Sequence, residues 1–347
     1  MKYSLSFAVT FFVLLGMPGC SSDSGKNSDQ AFNYVQPDMS ICAVSTEVAD
    51  GFLCALKPSL IDSATRDVYG VTKADDLAYG FGYHVVAFPR DGTTIQGVLI
   101  HFGGSGSRPY DQDTGRLSSK ELLLEALSAD YIVVQLAYNN RYAINSLNGC
   151  GGSNTVIDNC AGDLRREKIT GDDVSTVGET PIGDSIEYRL KALVEYLTAS
   201  GFEFPVSIVH HGEIDWSSVR LGGHSQGAGH ALYIKKYLGG GHACLLAGGY
   251  DIADSSPGVP TENMADWLIA GSPDIDISSL KALVALDDPA YSYFVSSYSQ
   301  LGLIKDIHWS SITADPYFDG NGSVIDGHAA PLKDPRFSIN RNAACFD

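Results

Sequence analysis

The stretch that decides the fold reads Val219-Arg220-Leu221-Gly222-Gly223-His224-Ser225-Gln226-Gly227-Ala228-Gly229-His230-Ala231. Its apolar start predicts a strand, and residues 226–238 predict a helix that ends at the glycines of 239–241. A G-x-S-x-G turn between a strand and a helix holds its serine in a strained, exposed conformation, since small residues at both ends allow the close approach. Ser225 is therefore a candidate nucleophile, and the alternative reading is a plain glycine turn.

Strand and helix patterns alternate on both sides of this turn. Strands are predicted at 79–88, 93–102, 131–137, 218–223, 242–247, 280–286 and 303–309, and helices at 118–129, 184–200, 226–238 and 290–300. The Asp91-Gly92 turn predicts that the first two strands form a hairpin. Repeated strand–helix units predict an α/β fold with a mostly parallel sheet and helices on both faces. Residues 41–75 have no clear period and are expected to cover one side of the domain.

The N-terminus predicts export. Residues 1–19 combine Lys2 with a short apolar run, which is typical of a signal peptide. The residues up to Cys20 resemble a bacterial lipoprotein signal, which implies that Cys20 is lipidated and anchors the chain to the membrane. We expect a tether at 20–40, one domain at 41–347, and a place in the cell envelope, at the outer membrane or the periplasmic face. Plain secretion is the alternative.

Charge excludes one class of partner. The chain has 23 basic and 41 acidic residues, a net charge of −18, and no basic run longer than a pair such as Arg165-Arg166. Binding to nucleic acid requires cationic groups that neutralise phosphates, so we expect no nucleic-acid partner.

Six cysteines remain when Cys20 is set aside. An even number in an oxidising compartment predicts disulfides, although six cysteines allow about 15 pairings. The pairs expected are Cys42–Cys54, Cys150–Cys160 and Cys244–Cys345. None of the six belongs to a C-x-x-C pair and no histidine stands close to two of them, so no metal site is expected.

The strand–GHSQG–helix unit resembles the α/β-hydrolase superfamily, and the resemblance covers about residues 79–330. It implies an acid and then a histidine after the nucleophile in chain order. Asp288, before Pro289, matches the acid position better than Asp287, which remains the alternative. His328, in Asp326-Gly327-His328, matches the base, and His308 is the next candidate.

The resemblance also implies an oxyanion hole. The segment His101-Phe102-Gly103-Gly104-Ser105-Gly106 is similar to the family's H-G-G loops, and an ordinary glycine-rich turn is the alternative. The expected donors are the backbone N–H of Gln226 and an N–H from this loop, assigned to Gly104 with Gly103 left open. No cofactor is implied.

These residues predict a carboxylic ester hydrolase that acts through an acyl-enzyme on a small neutral ester, such as an acylated sugar, a phenolic ester or a short-chain lipid. A polar insertion at 138–183 is expected to line the substrate side with Tyr138 and Tyr142. The alternatives are other acyl transfers on peptides, thioesters or lactones, and a non-catalytic ligand-binding lipoprotein of this fold. The Ser225-Gln226 pair also resembles cutinases, which adds polyesters to those alternatives.

Overall fold

The computed structural model describes residues 34–69, 79–146, 150, 159–252, 264–269 and 275–347. The expected signal segment and the lipid anchor at Cys20 lie outside these residues. Phe32–Asp347 make up one compact unit. Within the described ranges, no helix has the length and the apolar character needed to cross a membrane.

A nine-stranded sheet runs through the centre of this unit. Its strands are β1 (Val44–Val48), β2 (Gly51–Leu56), β3 (His84–Pro89), β4 (Gly97–Phe102), β5 (Tyr131–Leu136), β6 (Arg220–His224), β7 (Ala243–Leu246), β8 (Leu280–Ala285) and β9 (Trp309–Ile312). Their spatial order is β1-β2-β3-β5-β4-β6-β7-β8-β9. The neighbours from β5 to β9 are parallel, whereas β1, β2, β3 and β5 pair in antiparallel fashion.

Helices cover both faces of the sheet. The longer ones are α1 (Lys120–Ser128), α2 (Cys160–Thr170), α3 (Ile186–Ala199), α4 (Gln226–Tyr237), α5 (Tyr291–Gln300) and α6 (Ser338–Cys345). Alternate residues of β5 face opposite sides: Val134 belongs to the core cluster that contains residues of α2, α3, α4 and α5, whereas Val133 belongs to the cluster that contains residues of α1 and α6. The predicted α/β fold, with a mostly parallel sheet between two layers of helices, is confirmed.

Short elements join these layers. The single helical turns are Pro58–Ile61, Asp266–Ile269 and Ala330–Lys333, and the 3-10 turns are Met39–Ile41, Ile144–Ser146, Ile182–Asp184, Trp216–Ser218, Ile277–Ser279 and Pro335–Phe337. Two-residue strands form four small ribbons: Val68–Tyr69 with Tyr79–Gly80, Tyr110–Asp111 with Arg116–Leu117, Val209–His210 with Glu213–Ile214, and Tyr317–Phe318 with Val324–Ile325.

The predicted hairpin between the first two strands is wrong. Strand β5 lies between β3 and β4, because Val133 pairs with Ala87 on one side and with Leu99 on the other. A strand that is buried along its whole length needs hydrogen-bond partners on both edges, and this requirement overrides the local turn at 91–92.

Two other expectations about strands also need correction. Residues 44–56 are not an irregular cover, because β1 and β2 extend the sheet at its antiparallel edge. The last strand begins at Trp309 and not at 303, since the backbone N–H of His308 bonds to the carbonyl of Ile304 at 2.8 Å and closes a turn there.

Three disulfides join the pairs expected from the sequence. Cys42 bonds to Cys54 of β2, Cys150 to Cys160 at the start of α2, and Cys244 of β7 to Cys345 of α6. Disulfides of this kind are typical of periplasmic or extracellular proteins.

Candidate active site

Ser225 lies on a sharp turn between β6 and α4. Its backbone has φ 55° and ψ −120°, a conformation that L residues rarely adopt. A Cβ at Gly223 would overlap the backbone of Gly227, and a Cβ at Gly227 would overlap the backbone of Phe102. The two glycines of the motif are therefore required by the close approach of strand and helix, as the G-x-S-x-G pattern predicts.

The structure brings Ser225, His328 and Asp288 together. The His328 Nε2 lies 2.8 Å from the Ser225 Oγ, and its Nδ1 lies 2.7 Å from the Asp288 Oδ2. A carboxylate only accepts hydrogen bonds, so Nδ1 carries the proton and Nε2 is free to accept the proton of the serine. The Asp288 side chain is 1% exposed, and its Oδ1 accepts the N–H of Ala290 at 2.8 Å. This arrangement is able to raise the nucleophilicity of the Ser225 hydroxyl.

The two alternative residues lie elsewhere. Asp287 is exposed, and its Oδ1 accepts a hydrogen bond from the Tyr317 hydroxyl at 2.6 Å. His308 directly precedes β9, at the amino end of the parallel strands, whereas Ser225 follows the carboxyl end of β6. His308 is thus on the opposite edge of the sheet from the nucleophile.

Two further histidines, the partly buried His224 and the fully buried His101, lie near this trio without joining it. His224 donates from Nε2 to the backbone carbonyl of His328 at 2.8 Å, and burial lowers the pKa of His224 to about 4. His101 is a residue of β4, where burial lowers its pKa to about 3. Both rings are therefore neutral at pH 7, and His224 helps to position the loop that carries His328.

The loop after β4 lies against Ser225 and has its carbonyls held on one side. The carbonyl of Gly103 accepts from the Tyr138 hydroxyl at 2.6 Å, and that of Gly104 accepts from the Asn140 amide at 2.7 Å. In a trans peptide the N–H points away from the preceding carbonyl, so the N–H groups of Gly104 and Ser105 face the opposite way. A Cβ on Gly104 would lie 3.1 Å from the Ser225 Cβ, which places this backbone against the nucleophile.

The backbone N–H groups of Gly104, Ser105 and Gln226 are able to donate hydrogen bonds to a ligand. No described backbone carbonyl accepts from the amides of Gly104, Ser105 or Gln226. The Ser105 hydroxyl donates to the Gln226 Oε1 at 2.7 Å and joins the loop to the first residue of α4. Together they form a candidate site for a developing oxyanion.

The insertion differs in part from expectation. Tyr138 is 1% exposed, and its hydroxyl donates a hydrogen bond to the buried carbonyl of Gly103. Tyr138 therefore supports the loop after β4 from the interior and does not line an open substrate surface. Tyr142 is 37% exposed. Sequence reasoning missed Asn140, Arg165 and Asp251. A sequence signal for Arg165 is Gly229, a helix-weakening residue in the first turn of α4 that leaves room for its guanidinium.

Comparisons with known proteins find likeness only among solved structures. No protein-family model matches the chain, and no curated protein matches it either. An S-formylglutathione hydrolase from Agrobacterium tumefaciens is 11% identical, with a TM-score of 0.41 over 87% of this chain and 96% of that one.

Two proteins of Staphylococcus aureus are similar to a comparable degree. The S-formylglutathione hydrolase FrmB is 10% identical with a TM-score of 0.34, covering 77% of this chain and 90% of its own. The fluorophosphonate-binding serine hydrolase FphF is 13% identical with a TM-score of 0.36, covering 76% and 90%. At these identities and TM-scores, the function of this chain has to be inferred from its own site.

Proposed function

We propose that the protein is a serine hydrolase that cleaves carboxylic esters through an acyl-enzyme. The observation that carries this proposal is the continuous hydrogen-bond chain from the Ser225 Oγ through His328 to Asp288. A serine on a strained strand-to-helix turn, in contact with an oriented imidazole, is an arrangement suited to acyl transfer.

In the proposed reaction, the Ser225 Oγ attacks the acyl carbon while the His328 Nε2 takes its proton. Asp288 stabilises the imidazolium, and the N–H groups of Gln226 and Gly104 stabilise the oxyanion of the tetrahedral intermediate. The C–O bond to the alcohol then breaks, and the alcohol leaves with the proton from Nε2. Water repeats these steps on the acyl-enzyme, releases the acid and restores the Ser225 hydroxyl.

We infer a small neutral ester as the substrate, such as an acylated sugar, a phenolic ester or a short-chain lipid. The net charge of −18 disfavours strongly anionic substrates. Aromatic rings extend away from the base: Phe294 lies parallel to the His328 ring at 6.4 Å, and Tyr250 packs edge-on against Phe294 at 5.2 Å. The Phe294 side chain is fully buried, so it packs behind the His328 ring, and the preference for a neutral ester follows from the net charge alone.

The location we propose is the cell envelope, with attachment to the membrane through a lipid on Cys20. The support is the lipoprotein-like sequence before Cys20 together with the three disulfides.

Labelling by a fluorophosphonate tests the mechanism. The folded wild type should react at neutral pH, and Ser225→Ala and His328→Ala should not, while His308→Ala serves as a matched histidine control that still reacts. Absence of labelling in folded wild type would overturn the serine mechanism and favour a ligand-binding protein. Labelling without turnover of p-nitrophenyl acetate or butyrate would overturn cleavage of small open-chain esters and favour a peptide, thioester, lactone or polyester.

A further inference from the structure

A buried ion pair connects the 138–183 insertion to the nucleophile turn. Arg165 of α2 and Asp251, after β7, have side chains that are 2% and 1% exposed. The Arg165 Nε lies 2.5 Å from one Asp251 oxygen and the Nη2 lies 2.8 Å from the other. Trp267 donates its indole N–H to the same carboxylate at 2.8 Å, so the pair is held in one geometry.

The same guanidinium also contacts the residue after the nucleophile. The Arg165 Nη1 donates to the backbone carbonyl of Gln226 at 3.1 Å. The guanidinium lies so close to α4 that a Cβ on Gly229 would overlap it, which explains a glycine in the first turn of this helix. Burial and the charge of Arg165 lower the pKa of neighbouring His230 well below its usual value, so His230 is neutral and adds no second positive charge beside the guanidinium.

Three residues further along α2, a second cation, Lys168, supports the segment that holds Gly104, the other proposed oxyanion donor. Lys168 is 5% exposed and donates to the backbone carbonyl of Asn139 at 2.9 Å. The adjacent Asn140 holds the carbonyl of Gly104 at 2.7 Å. Residues at i and i+3 share one face of a helix, so one face of α2 supports both proposed oxyanion donors.

We propose that Arg165 and Lys168 are positioning residues that set the separation of the two oxyanion donors, Gln226 and Gly104. This inference rests on the proposed function and deepens it. Neither cation touches the reacting atoms. The oxyanion forms only after the substrate is bound, in the tetrahedral intermediate and in the transition states that lead to and from it, so displacement of its donors lowers kcat and leaves KM nearly unchanged.

The first test removes the ion pair without leaving a lone charge. Arg165→Met with Asp251→Asn deletes both charges and retains an acceptor for Trp267, a replacement that buried pairs often tolerate. The expected result is a kcat for p-nitrophenyl acetate about 10-fold lower, less than the roughly 100-fold loss from deleting a donor itself, with KM within about 2-fold. All rates are normalised to the fraction of protein that a fluorophosphonate titrates.

A matched control lies on the same helix. Arg166 pairs with Asp172 at 2.8 Å, with side chains 52% and 47% exposed, and Arg166→Met with Asp172→Asn makes the same change of charge away from α4. This control should keep the wild-type kcat. Lys168→Met is the second variant, and it should lower kcat in the same way by acting on the other donor.

The outcomes separate the two proposals. If folded wild type fails to react with the fluorophosphonate, the proposed function is wrong. If wild type reacts, but folded Arg165→Met/Asp251→Asn and Lys168→Met both keep kcat within about 2-fold, the positioning role is wrong and these residues serve stability alone. If the paired variant does not fold, an unchanged kcat in Lys168→Met by itself overturns the proposal.

Discussion

Replacement of Asp288 by asparagine removes the charge that faces His328 and preserves the shape of the side chain. The carboxylate oxygen lies 2.7 Å from the His328 Nδ1, and the Asp288 side chain is 1% exposed. If the charge centres of the carboxylate and the imidazolium are about 4 Å apart and the effective dielectric constant is about 20, the carboxylate stabilises the imidazolium by about 4 kcal/mol. At about 1.4 kcal/mol per factor of ten, kcat should fall by about 1,000-fold.

A second effect acts in the same direction. The Asp288 Oδ1 accepts the N–H of Ala290 at 2.8 Å, so the asparagine oxygen stays there and its NH2 faces the imidazole. His328 must then carry its proton on Nε2, where it is unable to accept the proton of Ser225.

The assay is turnover of p-nitrophenyl acetate under saturating conditions, with urea unfolding to establish that each variant is folded. Asp287→Asn is the control, because it makes the same chemical change at an exposed carboxylate that bonds to Tyr317. It should change kcat by less than about 3-fold. Retention of more than about a tenth of wild-type kcat in Asp288→Asn, or an equal loss in both variants, would refute the assignment of the acid.

Gly104→Ala retains the backbone N–H but adds a methyl 3.1 Å from the Ser225 Cβ, so kcat should fall by about 10-fold while urea stability changes little. Gly80→Ala is the control and should keep wild-type kcat, because a Cβ there has its nearest neighbour at 3.6 Å. Equal kcat in the two variants would contradict the effect expected for Gly104→Ala. Burial lowers the pKa of His242 from 6.5 to about 4, so the unfolded chain takes up a proton as pH falls below about 6.5 and the folded chain does so only near 4. Wild type should therefore lose about 2 kcal/mol more unfolding free energy between pH 7.5 and 5.0 than His242→Gln does, and parallel losses in urea titrations would rule this out.

Local pattern predicted most of the α/β architecture, and it failed where distant strands compete for partners. The Asp-Gly turn at 91–92 is typical of a β-hairpin, yet β5 lies between β3 and β4 and pairs with both. Strands β1 and β2 carry no strong period, because β1 is largely exposed and β2 is buried on both faces. Neither pattern gives the alternation that identifies a half-buried strand.

By itself, the sequence predicted the strand–turn–helix unit at Ser225, because this depends on short-range requirements, whereas the order of an acid and then a histidine came from the resemblance to a family. Glycines at 223 and 227 are needed wherever a strand meets a helix this closely, and strand–helix periodicity places the carboxyl ends of β6 and β8 on one edge. Only the tertiary structure separated Asp288 from Asp287, since the two are adjacent in sequence and differ in the contacts that the fold gives them.

The support beneath the oxyanion site was likewise decided by tertiary structure alone. Arg165 meets Asp251 across 86 residues and Gln226 across 61. In sequence, Arg165 is half of an ordinary basic pair whose other member, Arg166, is exposed. A buried charge is stable only when its partners are in place, and those partners come from separate elements that the folded sheet and helices bring together.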